Sequence, residues 1–452
     1  MPTARQLKWH ALEAYGFVHF SINTFTDKEW GYGDESPTLF NPSDFDADQI
    51  VGAARDGGLM GIVLTAKHHD GFCLWPSKLT KHSVKASPWR GGKGDMVREF
   101  SDACRRAGLK FGVYLSPWDR NHAEYGRPGY LDYYRAQLRE LLTGYGPIFE
   151  VWFDGANGGD GWYGGARETR TIDNRTYYDW PTTWKMVREL QPDACMFSDA
   201  GPDCRWVGNE SGFAGDPCWS TIDNAGQWPG HAEPAHLNRG DRHGTDWIPA
   251  EVDVSIRPGW FWHASQNDNV KTPADLRRIW FESVGRGANL ILNLPPDRRG
   301  RLHERDVAVL KEHRRWLDAT FGTDLAHGAT ASANHALDAK RAAQAVCDGR
   351  PDTYWCPGDA AGSIPEIVIE LPEARSFSLV RLREHVALGQ RIGAATIEVR
   401  ENGQWSLFGE VRHVGPRRWI GGPIVRADAV RVRIPDASAP PMLSEIALFR
   451  EP

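Results

Sequence analysis

A chain of 452 residues exceeds what one ordinary hydrophobic core fills, so two domains are expected. With 41% hydrophobic and 25% charged residues and a net charge of -6, the composition is globular and lacks the basic surface that nucleic acid or an anionic membrane face would require. No apolar run approaches the ~18 residues that cross a bilayer, and Met1–His10 carries no apolar signal segment, so the protein is expected in the cytoplasm, or in the periplasm or secreted if a leader has been removed.

The first part of the chain alternates strand and helix patterns. In order, the pattern predicts a strand over Tyr15–Phe20, a helix over Asp48–Gly57, a strand over Met60–Lys67 and a helix over Asp95–Ala107. A strand over Lys110–Ser116, a helix over Tyr130–Leu142 and a strand over Phe149–Asp154 follow. Next come a helix over Thr183–Leu190, strands over Cys195–Ala200 and Glu251–Ile256, a helix over Asp275–Arg286, a strand over Asn289–Leu294 and a helix over Val307–Trp316. Runs such as Gly61-Ile62-Val63-Leu64 are apolar on both faces, as parallel strands under helices must be. The expected architecture is a TIM-like (β/α)8 barrel over residues 1–325. Seven strands are placed; Arg205–Trp247 is too rich in loop residues to locate the eighth.

Residues 326–452 lose helical spacing. Ile367, Ile369 and Leu371 share one face, Val430, Val432 and Ile434 another, and Glu401-Asn402-Gly403 reads as a turn. An antiparallel β-sandwich is expected there. The seven cysteines form no CxxC pair, which fits small buried thiols better than a disulfide framework.

Candidate chemistry gathers at strand ends. Asp154 closes Phe149-Glu150-Val151-Trp152-Phe153-Asp154-Gly155, a buried strand ending on a carboxylate, which is where such barrels place catalytic groups. His19 ends the first strand, His68, His69 and Asp70 follow the second, and Tyr114 and Trp118 come at the end of the third and just after it. Neutral imidazoles offer one donor and one acceptor each, a pattern suited to ring hydroxyls. The 20 tryptophans suit sugar faces for a related reason: a broad apolar surface with one N–H donor. His68-His69-Asp70 is also a conceivable metal set, but adjacent strand residues point to opposite faces, so no metal is expected. Glu210 is the candidate partner of Asp154, with Glu251 and Asp253 as competing acids, and Arg257 is expected to pair with one of them or reach a substrate hydroxyl.

Several of these runs together resemble the α-L-fucosidases of glycoside hydrolase family 29. They are His19-Phe20-Ser21, Glu29-Trp30-Gly31-Tyr32-Gly33, Lys67-His68-His69-Asp70-Gly71-Phe72, Trp152-Phe153-Asp154-Gly155 and Asn293-Leu294-Pro295-Pro296-Asp297. The resemblance spans about residues 5–320 and implies that Asp154 is a nucleophile and that His19, His68 and His69 contact fucose. Glu29, Trp30, Tyr114, Arg257 and Trp260 complete the expected substrate contacts. The Asn209–Phe213 context and Glu251–Trp260 resemble the group that cleaves α-1,3/1,4-fucosyl branches, which implies that Glu210 is the acid/base. On this reading the partner is a fucosylated oligosaccharide or glycoconjugate, no cofactor is needed and the oligomeric state is left open. Trp219, Trp260 and Trp262 are expected at an acceptor rim, and Phe72, Trp260 or Trp262 around the fucose methyl. Cys347-Asp348-Gly349-Arg350-Pro351-Asp352-Thr353-Tyr354-Trp355 resembles the early motif of discoidin-like, galactose-binding-type domains. A sugar-binding protein with a degenerate site, a fucosidase of broader linkage specificity, and a retaining glycosidase for another deoxy or galacto sugar are the alternatives.

Overall fold

The computed structural model describes residues 1–231, 233–359 and 362–452. Eight strands, all parallel, close into a barrel: β1 Ala14–Val18, β2 Gly61–Lys67, β3 Lys110–Leu115, β4 Glu150–Trp152, β5 Cys195–Ser198, β6 Cys204–Trp206, β7 Ala250–Ser255 and β8 Asn289–Asn293. Around the barrel the order runs β1-β8-β7-β6-β5-β4-β3-β2. Helices α1 Ala4–His10, α2 Ala47–Asp56, α3 Met96–Ala107, α4 Gly129–Gly144, α5 Trp180–Leu190, α6 Pro273–Glu282 and α7 Glu304–Phe321 accompany it.

Local sequence explains most of these boundaries. Asp46 and Asp95 accept the N–H groups of Gln49 and Arg98, capping α2 and α3. Thr272 and Asp275 form a reciprocal capping box at α6, where Pro273 fills the first helical position. Along α3, Met96, Val97, Phe100, Ala103 and Cys104 are buried, the i, i+4, i+7 stripe of a helix lying on a sheet.

The eighth strand is β6. It is only three residues long and is joined to β5 by Asp199–Asp203 with no helix between, so this part of the barrel departs from strict β/α alternation. Its central residue is Arg205, fully buried. The Arg205 guanidinium donates to the carbonyls of Leu237 (2.8 Å), Trp219 (2.9 Å) and Ile248, so it pins the long loop that leads to β7. A three-residue strand centred on arginine carries no apolar signature.

After α7 the chain forms an antiparallel sheet of β9 Thr330–Ala333, β10 Glu366–Glu384, β11 Ile392–Glu401, β12 Gln404–Val411, β13 Arg418–Ala437 and β14 Leu443–Phe449. β10 and β13 are long and pair through register shifts at Glu370/Arg375 and Phe377/Leu379, so each strand bends as it crosses the domain. Ile367, Ile369, Leu371, Val430, Val432 and Ile434 are buried in its core. The β11–β12 hairpin turns at Asn402 (φ 50) and Gly403 (φ 78), two left-handed positions that Asn-Gly tolerates. Trp355 is fully buried, its indole N–H donating to the His335 carbonyl. All seven cysteines are free. No helix among the described residues is long and apolar enough to cross a membrane.

Candidate active site

Strand alternation builds the site. On β1, Tyr15 and Phe17 face the barrel interior, and His19 lies one step beyond; on β4, Glu150 and Trp152 face inward, and Asp154 lies just past the strand end. On β7, Glu251 and Asp253 do the same, while Val252 and Val254 face the helices. A pocket of about 440 Å³ opens at these C-terminal strand ends. His19, Glu29, Trp30, His68, His69, Asp154, Glu210 and Trp260 all line it.

Asp154 accepts the Tyr114 hydroxyl at 2.8 Å and the Ala156 N–H at 2.7 Å. Such charge-assisted bonds support a carboxylate. Tyr114, expected to contact substrate, is instead fully buried and outside the pocket lining, so its hydroxyl meets Asp154 from behind the wall. Gly155 leaves room for the Asp199 carboxyl: a Cβ there would sit 2.0 Å from Asp199 Oδ2.

Both histidines beyond β2 point into the pocket, which corrects the expectation of opposite faces. The register of β2 against β3 shifts between Thr65 and Lys67, and His68 and His69 lie past the strand end with their rings 4.2 Å apart. The same shift sends the Lys67 ammonium to Asp119 (2.9 Å) and Gln137 (3.0 Å). Asp70 turns away, accepting the Phe72 N–H at 2.7 Å and the Ser21 hydroxyl at 3.2 Å, so the His-His-Asp set does not converge on one point. Among the described residues, donor atoms with metal-ligand spacing occur only at Glu150, Cys204 and Glu251, beneath the pocket.

The imidazoles are neutral, and their tautomers follow from their partners. Ser116 donates its one hydrogen to the Trp118 carbonyl, so His69 Nδ1 must donate to Ser116 Oγ at 2.7 Å. His69 Nε2 then offers a lone pair 3.7 Å from Asp154 Oδ2. His19 Nδ1 meets the acceptor Oδ1 of Asn293 at 2.8 Å, leaving its Nε2 as an acceptor. Burial lowers the pKa of His19 to about 3 and of His69 to about 4, and pushes His68 well below the usual range.

Glu210 stands at the mouth, exposed, its Oε2 accepting the Trp260 indole N–H at 3.1 Å. Partial loss of water raises its pKa; the Trp260 bond opposes the rise, and the charges of Asp154 and Glu29 add to it. The Glu29 carboxylate binds the Trp260 N–H at 2.8 Å and His263 Nε2 at 2.6 Å, holding the loop that presents Trp260. Gly259 permits this approach, since a Cβ there would lie 2.3 Å from Glu29 Oε1. Trp30 is 52% exposed and sets its edge on His69 and Trp118.

Five further residues depart from expectation. Arg257 is wholly buried outside the pocket, paired with Asp306 at 2.9 Å, because it follows the inward-facing Ser255 of β7 by two residues but sits beyond the strand and turns toward α7. Trp219 is buried against His413 and Arg242 rather than at a rim. Phe72 packs on Phe40 in the layer outside the barrel, and Trp262 is buried away from the pocket. Glu251 lies beneath the floor, accepting the Trp152 indole N–H at 2.8 Å and the Tyr15 hydroxyl, with burial raising its pKa.

Residues not singled out from sequence also line the pocket: Phe17, Trp152, Trp206 and Asp199. Asp199 follows β5 as Asp154 follows β4, so the same strand-end signal marked it. Burial raises its pKa to about 6 against the opposing bond from the Gly230 N–H. Asp253, named only as a competing acid, is buried in the wall, with its pKa raised by burial and by the Glu210 charge.

Residues 4–321 match the α-L-fucosidase family model, and residues 328–446 match that of the F5/8 type C domain. The chain is 39% identical to α-L-fucosidase 1 of Arabidopsis thaliana, over all of this chain and 88% of that protein. It superposes on a Bacteroides thetaiotaomicron structure described as a putative α-L-fucosidase with a TM-score of 0.89 at 38% identity, covering all of this chain and 97% of the other. A Ruminococcus gnavus GH29 fucosidase in complex with fucose gives a TM-score of 0.87 at 30% identity, covering all of this chain and 95% of the other. A barrel with acids and neutral imidazoles around one pocket, matched over its full length, places this chain in the α-L-fucosidase family GH29, with an F5/8 type C domain following the barrel.

Proposed function

We propose that the protein is a retaining exo-α-L-fucosidase, with Asp154 as nucleophile and Glu210 as acid/base. The carrying observation is the contrast between the two acids: Asp154 accepts two hydrogen bonds at the strand ends, while Glu210 stands at the mouth with a raised pKa. An Asp154 oxygen attacks the anomeric carbon as the glycosidic C–O bond breaks, and the departing oxygen takes the Glu210 proton. Glu210, now ionised, then removes a proton from water; the resulting oxygen attacks the same carbon and frees Asp154. His19 Nε2 and His69 Nε2 accept from ring hydroxyls, and Phe17, Trp152 and Trp206 offer apolar surface to the fucose methyl.

Linkage follows from the mouth. Trp260 contacts Glu210, Trp30 and Trp206 line the same pocket, and the Glu251–Trp260 stretch resembles the α-1,3/1,4 group, so branched Lewis-type glycans are the proposed substrates. Contacts to remote sugars can be used to lower the barrier, which a simple aryl fucoside cannot exploit.

The test is twofold. Asp154→Gly should lose activity by about 10⁴-fold or more, the scale of removing a nucleophile, and azide should restore turnover of an activated aryl fucoside as β-fucosyl azide. Near-normal activity would reassign the nucleophile. The order of kcat/KM should be Lewis-a and Lewis-x above 2′-fucosyllactose and nitrophenyl fucoside; an α-1,2-linked or aryl substrate ranking first would overturn the linkage assignment.

A further inference from the structure

Glu210 belongs to the long loop between β6 and β7, and that loop is fastened at its far side to the C-terminal domain. Six residues after Glu210, Asp216 Oδ2 pairs with Arg418 Nη2 at 2.7 Å, and its Oδ1 stands 3.7 Å from His413 Nδ1. The Ser220 N–H donates to Gln390 Oε1 at 2.8 Å, and the Trp219 ring lies 6.2 Å from that of His413. Farther along the same loop, Arg242 grips Asp436 with two bonds of 2.6 Å.

On its own side the turn that carries Glu210 is held by Asn238, whose side chain donates to the Val207 carbonyl at 3.1 Å and whose carbonyl accepts the Gly215 N–H at 3.1 Å. Glu210, Ser211 and Phe213 are exposed, and the turn is closed locally by Asn209, which accepts the Ser211 N–H and donates to the Phe213 carbonyl. Behind it, the Arg286 guanidinium and the Glu282 carbonyl bind Ala214. The next charged anchor is Asp216. Burial pushes its carboxyl up, but Arg418, with His413 and Arg286, outweighs this and holds it below the usual range. Arg418 is itself buried, and among the described residues its Nε and Nη1 find no acceptor, so Asp216 is the partner that satisfies it.

We propose that the C-terminal domain is a working part of the catalytic site: Arg418 and Gln390 act as positioning residues that hold the Asp216–Ser220 segment so that Glu210 faces the leaving group. This rests on Glu210 being the acid/base. A displacement of about 1 Å in a reacting group costs on the order of a hundredfold, so slack in this anchor falls on the step that needs proton donation.

The experiment uses the full-length enzyme with Arg418→Met, Arg418→Lys and Asp216→Asn, assayed on a fucosyl-GlcNAc disaccharide and on 2-chloro-4-nitrophenyl fucoside, whose departure needs little protonation. Arg418→Met should lose about ten- to a hundredfold in kcat on the disaccharide, with KM and the aryl substrate little changed, and Arg418→Lys should recover part of the loss. In a Glu210→Gln background the Arg418→Met loss should vanish. Equal losses on both substrates, or none on the disaccharide, overturn the proposal. If Glu210→Gln by itself fails to separate the two substrates, the acid/base assignment is what has failed. Should Arg418→Met not fold, Gln390→Met removes the second anchor while leaving the ion pair, and the same split is required of it.

Discussion

The floor and the mouth of the pocket are built by different means. The floor rides on barrel strands: His19, Tyr114, Trp152 and Asp154 stand on or just past β1, β3 and β4, and their positions follow from strand alternation. Phe17 and Phe197 pack ring against ring with Tyr114 and Trp152, Trp152 stacked 4.1 Å from Phe197. The mouth is assembled from loops whose partners are remote in the chain. Trp260 reaches 50 residues back to Glu210 and 231 residues back to Glu29. The lesson is a division of labour: the floor is fixed by the barrel strands that carry it, whereas the mouth depends on contacts made elsewhere in the molecule.

The strongest way to break this comparison is at the floor. Tyr114→Phe removes a hydrogen bond to a carboxylate, worth about 1.5–3 kcal/mol, so kcat/KM should fall about ten- to a hundredfold. Because the loss lies at the reacting carbon, it should be equal for aryl fucosides and for oligosaccharides. A loss confined to oligosaccharides would mean that Tyr114 serves the mouth.

A smaller and differently shaped effect is expected at the mouth. The Trp260 indole N–H favours the ionised form of Glu210, whereas the acid/base role proposed for Glu210 requires the neutral form. Activity on a disaccharide is therefore lost as pH rises through the Glu210 pKa. Trp260→Phe should raise that pKa further and move the alkaline limb of kcat/KM to higher pH for the disaccharide, leaving the aryl profile in place. No movement, or movement to lower pH, would detach the indole from Glu210.

The smallest effect on activity is expected at Arg257. Arg257→Met should leave kcat and KM unchanged, while stability falls by about 3–5 kcal/mol because Asp306 is left buried without its partner. Urea unfolding measures this, and adding Asp306→Leu should restore most of the loss. A raised KM would return Arg257 to the substrate.

The contrast also explains what was legible in advance. The pocket positions of Asp154 and His19 are legible because an inward-facing residue at a strand end is a local property, visible in a period of two. Asp199 carries the same signal, one residue past a strand that ends at Ser198. Arg257 and Trp219 share one property: a charged or aromatic residue near Gly and Pro reads as exposed, and only a partner far away in sequence shows that it is covered.

From its sequence alone this chain determined the barrel followed by an antiparallel domain, the strands that carry the floor, and the Asn402-Gly403 hairpin. Those features depend on hydrophobic period and turn chemistry, which act over a few residues. Tertiary structure alone decided the eighth strand, where buried Arg205 is satisfied by three distant carbonyls. It also decided that His68 and His69 share one face, through a register shift between β2 and β3. The same holds for the clasp between Asp216 and Arg418, 202 residues apart, because burial and pairing of a charge are set by what folds against it and not by its neighbours in the chain.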